Sequence, residues 1–533
     1  MIRFSNLAVL PGQDEQDALK MALKKLRLKP EQVNHFRVSR KSIDARDKSR
    51  VRVIYSLDID LKADEDRLIQ VYGKIGVSRA PAKVSFSVAA SKMNFRPVVV
   101  GLGPCGLFSA LYLAMAGLRP VVLERGKPVS ERGRSVNLLT SKGILDEESN
   151  LQFGEGGAGA FSDGKLTTGI KDSKVRDVLE LLVRYGAPES LLYEQRPHIG
   201  TDKLPKVVSR IRQEIERLGG SVLFNAKLTG LMIKDGHVQG VSYVQNGEQN
   251  ELGTKAVILA IGHSARDTQK ILFRQGMELK PKPFSMGVRI EHPQELINEA
   301  QYGAAYPLLP PAEYHLAHKL RDGRGAYSFC MCPGGKVMAA ASEEGGVCVN
   351  GMSNSRRDFE NANAALLVEV RTSDYFRDND PLSGFEYQKK FERLAYDLGG
   401  GGFKAPYQLA GDFMQDVLSS SPGSVRPSYR PGVTPALLKD ALPLFVTEGL
   451  KEALSAFDRK IKGFLLQDAV ITGVETRSSC PIQAFRDGSF QSNIKGLFPA
   501  GEGAGRAGGI MSAAVDGLNA AQAMVDLFQI AGV

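Results

Sequence analysis

Residues 97–124 read PVVVGLGPCGLFSALYLAMAGLRPVVLE, and this stretch decides the fold. Its first 22 residues carry no charge, which is long enough to raise a membrane span. Gly101, Gly103, Pro104 and Gly106 interrupt the run directly after Val98 to Val100, so a buried strand, a tight turn and a buried helix explain it better. GLGPCG is then a GxGxxG between strand and helix, the context such a motif requires. Gly101 permits the turn, Gly103 lets a pyrophosphate approach the backbone, and Gly106 lets helix and strand pack closely. Pro104 and Cys105 open the helix, whose free N–H groups and partial positive charge attract phosphate. The second strand, PVVLE, ends at Glu124, 23 residues after Gly101. Its carboxylate suits a ribose diol at a spacing of about 20. The stretch reads as a dinucleotide-binding βαβ unit.

The whole chain has 533 residues, or about three domains at roughly 150 residues each. With 43% hydrophobic and 24% charged residues it is neither disordered, collagen-like nor a disulfide scaffold. Glycine supplies 56 of the 533 residues, above the average of about 7%, and clusters at 101–106, 154–159 and 501–509. Five scattered cysteines form no CxxC, and seven dispersed histidines suggest no metal site. The start, MIRFSNLAVLPGQDE, lacks the basic and apolar regions of a signal peptide, so a reducing cytoplasm is the expected compartment.

The net charge of +10 is uneven, because residues 1–95 hold 19 Lys/Arg against 11 Asp/Glu. This basic segment reads as strand IRFSNLAVL, helix DEQDALKMALKKLRL, strands VNHFRVSRKSI and RVRVIYSLDIDL, helix DEDRLIQVYGKI and closing strand AKVSFSV. The order βαββαβ is that of a ferredoxin-like α+β module. Seven Lys/Arg and two Asp fall between Arg37 and Arg52. A solvated hairpin is the plain reading, and a nucleic acid, an anionic membrane surface or an acidic partner is the other. The expected organisation is α/β: a Rossmann-like FAD/NAD(P)-binding domain with an inserted α+β substrate domain, after the N-terminal module. The boundaries are 1–95 for the module, 96–275 for the first part of the dinucleotide domain, 276–420 for the insertion and 421–533 for the return.

Three further segments narrow the dinucleotide. KAVILAIG, Lys255 to Gly262, resembles the apolar strand and glycine turn of FAD-binding proteins related to glutathione reductase. IKGLFPAGEGAGRAGGIMSAAVDG, Ile494 to Gly517, resembles their C-terminal flavin motif. More specifically, NLQFGEGGAGAFSDGKLTTG, AIGHSARDT, YSFCMCPGG and GEGAGRAGGIMSAAVDG resemble the FAD-dependent (NAD(FAD)-utilising) dehydrogenases along nearly the whole chain. The resemblance implies FAD and an oxidoreductase. It implies a ribityl contact at Glu502 after Gly501, where many relatives carry Asp. It also implies a helix start at Gly508, Gly509, Ile510 and Met511 facing the flavin pyrimidine, and a backbone contact to adenine at Lys227 or Leu228. No second GxGxxG occurs between the FAD segments, so NAD(P)H enters only as a transient donor.

Other candidates come from residue chemistry. Gly157 and Ala158, within the loop Gly154 to Gly159, let backbone amides approach a ring or a phosphate. Arg125, Arg132 and Arg134 follow the second strand within reach of a pyrophosphate. Lys165 and Ser162 are candidates for flavin or substrate contact. His263 is a candidate for proton transfer, although Ser264 and Asp267 form an S-x-x-D helix-start pattern beside it. Cys105 reads as a packing position. Cys330 and Cys332 would share a side of a strand as a redox pair, and Cys480 is a candidate flavin neighbour. The expected function is an FAD-dependent oxidoreductase acting on a small-molecule substrate through flavin N5. Two other readings stay open: an RNA-modifying flavoprotein using residues 37–52, and a non-catalytic flavin-binding sensor.

Overall fold

The computed structural model describes residues 1–82 and 86–530. The basic N-terminal segment is a four-stranded antiparallel sheet in the order Val33–Asp44, Arg52–Leu61, Ile2–Val9, Val77–Arg79, carrying helices Glu15–Leu26 and Glu65–Tyr72. Asp14 caps the first helix by accepting from the amides of Gln16 and Asp17, which satisfies donors the helix cannot pair itself. The closing strand is Val77–Arg79 rather than AKVSFSV, three of whose residues (83–85) lie outside the described residues. Gly76, at φ 100°, makes the turn that puts buried Val77 beside Phe4.

This module docks through its basic edge. The Lys41 amide donates to the Tyr193 carbonyl at 2.7 Å, and the Gln195 amide donates back to the Lys41 carbonyl at 3.0 Å. Arg37 pairs with buried Asp58 at 3.0 Å, and Arg46 pairs with Asp44 at 2.6 Å. The Lys41 bonds are made by its backbone, and Arg37 and Arg46 pair with carboxylates of the module itself; a nucleic-acid partner gains no support from this edge.

The stretch 97–124 folds as strand Val98–Val100, helix Pro104–Met115 and strand Val121–Leu123. These strands belong to a five-stranded parallel sheet in the order Leu497–Pro499, Val257–Leu259, Val98–Val100, Val121–Leu123, Ser221–Leu223. The three valines are buried on both faces, as parallel strands covered by helices must be. Helix Pro104–Met115 packs against helix Ile510–Ile530, so the first and last glycine motifs share one layer. Glycine makes that contact close: a Cβ on Gly517 would stand 2.9 Å from Ser109 Oγ. Among the described residues no helix is long and apolar enough to cross a membrane.

A second, mainly antiparallel sheet of eight strands runs from Phe284–Pro293 through Gly325–Ala339, Asn361–Val370 and Ala405–Leu409 to Val470–Glu475. Helix Leu444–Asp458 packs on it. The boundary expected at 420 falls inside this sheet, because Val470–Glu475 pairs with both Phe284–Pro293 and Ala405–Leu409. Chain composition does not change at 420, whereas strand pairing joins residues almost two hundred positions apart.

Candidate functional site

The two sheets meet across a cavity of about 380 Å³. One wall is the dinucleotide turn, Gly101, Gly103, Pro104 and Cys105, with Glu124 and Arg125, the loop at Gly157 and Ala158, Leu228, Gly262, Glu502, Gly509 and Ile510. The opposite wall carries Phe329, Cys330, Asn350, Glu475, Arg477 and Ser478 from the second sheet. Several expected residues do not line it. Gly106 packs helix against strand, since a Cβ there would strike the Gly101 carbonyl. Gly501 packs on Cys105, where a Cβ would stand only 2.9 Å from Cys105 Cβ. Met511 lies in the core, and Arg134 is exposed on helix Val129–Lys142.

Glu124 does more than its position in sequence implied. Its carboxylate accepts from the amides of Leu102 at 2.7 Å, Gly126 at 2.8 Å and Gly154 at 3.0 Å. It thus clamps the first turn, its own strand end and the 154–159 loop together. Two carboxylate oxygens offer about four acceptor positions, so one remains for a ligand hydroxyl. The same loop is held from behind by Arg132, which is fully buried and donates to the carbonyls of Asn150, Leu151 and Glu155 at 2.8 Å each. Arg132 therefore anchors the loop instead of reaching a phosphate. Gly157 fits against Gly103 so closely that a Cβ would stand 2.9 Å from the Gly103 Cα.

Arg125 lies over the Phe153 ring at 4.0 Å and pairs with Glu148 at 2.7 Å and Asp267 at 2.9 Å. Lys227 joins the same two carboxylates at 2.8 Å each. Asp267 consequently does not close a cap on Ser264: the helix Arg266–Arg274 begins without a side-chain cap. Burial opposes the Asp267 charge, but Arg125 and Lys227 outweigh it and hold the carboxyl well below its usual range.

The Glu502 side chain faces the cavity with no hydrogen bond or ion pair among the described residues, and burial pushes its carboxyl up to about 8 against the pull of Lys282. His263 is buried, and its Nε2 sits 3.0 Å from Gln388 Oε1, an oxygen that also accepts from Arg266. An acceptor at that point makes Nε2 the protonated nitrogen, which leaves Nδ1 as a lone-pair acceptor without a partner among the described residues. Burial, with Arg266 beside it, lowers the imidazole to about 3. His263 is therefore held as a neutral imidazole with Nδ1 open as an acceptor.

Among the thiols, burial pushes Cys105 well up and Cys480 up to about 12. Cys480 lies off the cavity near the Gly503 carbonyl. Cys330 lines the cavity while Cys332 lies behind it, fully buried. Lys165 lines the cavity too, but its Nζ donates to the Met331 carbonyl and stands 3.7 Å from Asp163 and 3.8 Å from Glu313. It supports the opposite wall at the Cys330–Cys332 segment.

Sequence reading missed the buried ion pairs of that wall. Arg289, with no exposed surface, donates from Nε to Glu475 at 2.7 Å and from Nη1 to Asn363 at 2.6 Å. Burial nevertheless raises the Glu475 carboxyl to about 7. Arg477 and Arg266 converge on Glu392 at 2.7 and 2.8 Å. The pairs are separated by 85 to 186 residues, and no local spacing signals them.

A family model described as "FAD-dependent protein, C-terminal domain-like" matches residues 283–478, and a domain of unknown function (DUF8436) matches residues 1–60. The first coincides with the second sheet. Among solved structures, the glycerol-3-phosphate dehydrogenase of Bacillus halodurans complexed with FAD is 12% identical, with TM-score 0.36, covering 82% of this chain and 66% of that one. A geranylgeranyl bacteriochlorophyll reductase-like protein of Thermoplasma acidophilum is 13% identical, with TM-score 0.36 and coverage of 82% and 79%. A variant of the E. coli quinol fumarate reductase is 13% identical, with TM-score 0.38 and coverage of 84% and 72%. An uncharacterized protein of Clostridium beijerinckii is 47% identical over 534 residues, covering 99% of each chain. The chain therefore belongs to one family with that clostridial protein, and its residues 283–478 match the model of an FAD-dependent protein's C-terminal domain.

Proposed function

We propose that the chain is an FAD-dependent oxidoreductase, a dehydrogenase or reductase, whose cofactor lies along the wall from Glu124 to Ile510 in the manner of glutathione-reductase-like flavoproteins. The observation that carries this reading is one cavity bounded by both glycine motifs on one side and by the 283–478 sheet on the other. The fit of the residues supports it. A Cβ on Gly103 would have only the Gly157 Cα within 4 Å, at 3.8 Å, and one on Gly262 would meet nothing. Both glycines thus leave room where a pyrophosphate would lie. Glu502 turns a half-buried carboxyl, without a side-chain partner among the described residues, toward the same cavity.

When bound, FAD supplies two-electron transfer. The chain's own parts then have distinct tasks. The turn and helix start at Gly101 to Cys105 receive the pyrophosphate. The remaining acceptor position of Glu124 takes the ribose, and Leu228 offers backbone to the adenine. Glu502 takes the hydroxyls of the ribityl chain, and the helix start at Gly509 and Ile510 faces the pyrimidine edge, where its N–H groups favour negative charge. The cap extends over 283–478 rather than 276–420, and Glu475, Arg477 and Asn350 meet the small-molecule substrate. A carboxyl at about 7 holds or releases a proton near neutrality, which suits Glu475 to general acid–base work. The ferredoxin-like reading of residues 1–82 rests on its strand order.

An anaerobic absorbance titration of the purified protein with NADH and then NADPH tests this reading. Bound flavin that bleaches with a nicotinamide identifies the donor. Flavin that resists every reductant and oxidant would point to the sensor, and protein that releases no flavin would refute the proposal.

A further inference from the structure

Resting on the flavin reading above, we propose that Cys330 and Cys332 form a dithiol–disulfide couple on the cavity wall that relays two electrons between the cofactor and a disulfide substrate. Strand Gly325–Ala339 departs from regular pairing at this point. Phe329 stands opposite Ala365 and Cys332 opposite Asn363, so Cys330 and Met331 together face one neighbour. Such a bulge re-aims side chains and breaks the strict alternation that the sequence suggested. Cys330 takes φ 42°, a left-handed conformation that side-chain-bearing residues seldom adopt and that tends to be retained at functional sites. Two residues along an extended strand place their Cα atoms about 6.6 Å apart, the upper edge of the roughly 4.4–6.8 Å spanned by disulfides, and a bulge shortens the distance.

The surroundings fit a reactive pair. Cys330 shares the cavity wall with Glu475 and Asn350. Buried Cys332 donates its thiol to the Cys330 carbonyl at 3.2 Å. Arg289 Nη1 reaches that same carbonyl at 3.2 Å and the Cys332 sulfur at 3.9 Å, while Lys165 grips the Met331 carbonyl between them. Hydrogen bonding from the Cys332 thiol, with Arg289 and Lys165 adding their charge, lowers Cys330 against burial, and Cys332 is pushed well up. A low-pKa attacking thiol with a protonated partner behind it is the division of labour that thiol–disulfide exchange uses. Cys105, Cys348 and Cys480 have no such setting, since burial raises each.

The step balances within these groups. The Cys330 thiolate attacks one sulfur of the substrate disulfide, whose S–S bond breaks, and the first leaving sulfur takes the proton of Glu475. Cys332 then attacks Cys330 Sγ, and its proton goes to the second leaving sulfur. One disulfide becomes two thiols while the protein dithiol becomes a disulfide. Returning the pair to the dithiol needs two electrons and two protons, for which a reduced flavin is the donor class.

The test uses the full-length flavin-containing protein, reduced, freed of reductant and treated with oxidised glutathione before alkylation and peptide mass analysis. Residues 325–336 contain both thiols, and this peptide is expected to lose two hydrogens and escape alkylation. Cys332→Ser should instead retain one glutathione on Cys330, and Cys330→Ser should do neither. Wild-type protein whose two thiols stay alkylatable would overturn the couple. Flavin absorbance of the same sample separates the two claims: flavin with inert thiols rejects the couple alone, whereas thiols that close in protein devoid of flavin reject the relay to the cofactor.

Discussion

The two walls of the cavity are made of different material. The dinucleotide wall is backbone: glycines at 101, 103, 157 and 262 bring main chain to the cavity, and one carboxylate, Glu124, ties three amides together. The opposite wall presents side chains, Glu475 and Arg477 among them, held from behind by buried ion pairs to Arg289 and to Glu392, which Arg266 of the dinucleotide side also joins. A backbone wall can be conserved in shape by local motifs and serves a constant ligand. A wall of charged side chains depends on tertiary assembly and can differ in the ligand it admits.

Substitutions can break or sharpen that contrast. Arg289→Met should have the largest effect, about 3–5 kcal/mol of stability, because it leaves buried Glu475 without its partner. Chemical unfolding checks this, and a loss below about 1 kcal/mol would mean that the ion pairs do not hold the wall. Gly101→Val comes next. Gly101 has φ 96° and no space toward the Ala260 carbonyl, so strain of about 1–3 kcal/mol is expected from the backbone alone. Thermal unfolding should fall and flavin should be lost. Glu124→Gln replaces an acceptor by a donor facing amides, costing about 1–3 kcal/mol. Equilibrium dialysis against FAD should show weakened retention.

Glu502 adds a dependence on pH. Burial raises the Glu502 carboxyl from 4.5 to about 8 in the folded chain. The folded state then holds this proton more tightly than the unfolded one. The associated stability is fully present below about pH 4.5 and is lost as pH rises through about 8. Melting of flavin-free protein across that range should show the decline, and Glu502→Gln should flatten it. Arg134→Ala, on an exposed helix face away from the cavity, should change neither melting nor flavin content.

The same contrast explains what could be read from sequence. The strand, turn and helix at 98–115 were legible because uncharged β-branched residues, punctuating glycines and an apolar helix are local signals. Glu124 was legible as an acceptor by its spacing, but its grip on Gly154 was not, since that contact spans 30 residues. Arg132 and Arg134 looked alike in ERGRS, yet helical periodicity buries one and exposes the other. The closing strand lies earlier than its apolar composition suggests, because Gly76 turns the chain before that run begins. Arg289 and Glu475 gave no signal at all, being joined only by the pairing of Phe284–Pro293 with Val470–Glu475.

The most direct measurement of the central claim is the flavin-to-protein ratio of wild-type protein beside Gly103→Val. A Cβ at Gly103 meets only the Gly157 Cα, at 3.8 Å, so the variant should fold and, once flavin is removed from both proteins, melt like the wild type. Wild-type protein should carry FAD near one per chain and the variant almost none. Equal flavin in both, or none in the wild type, would contradict the placement of FAD on the glycine wall.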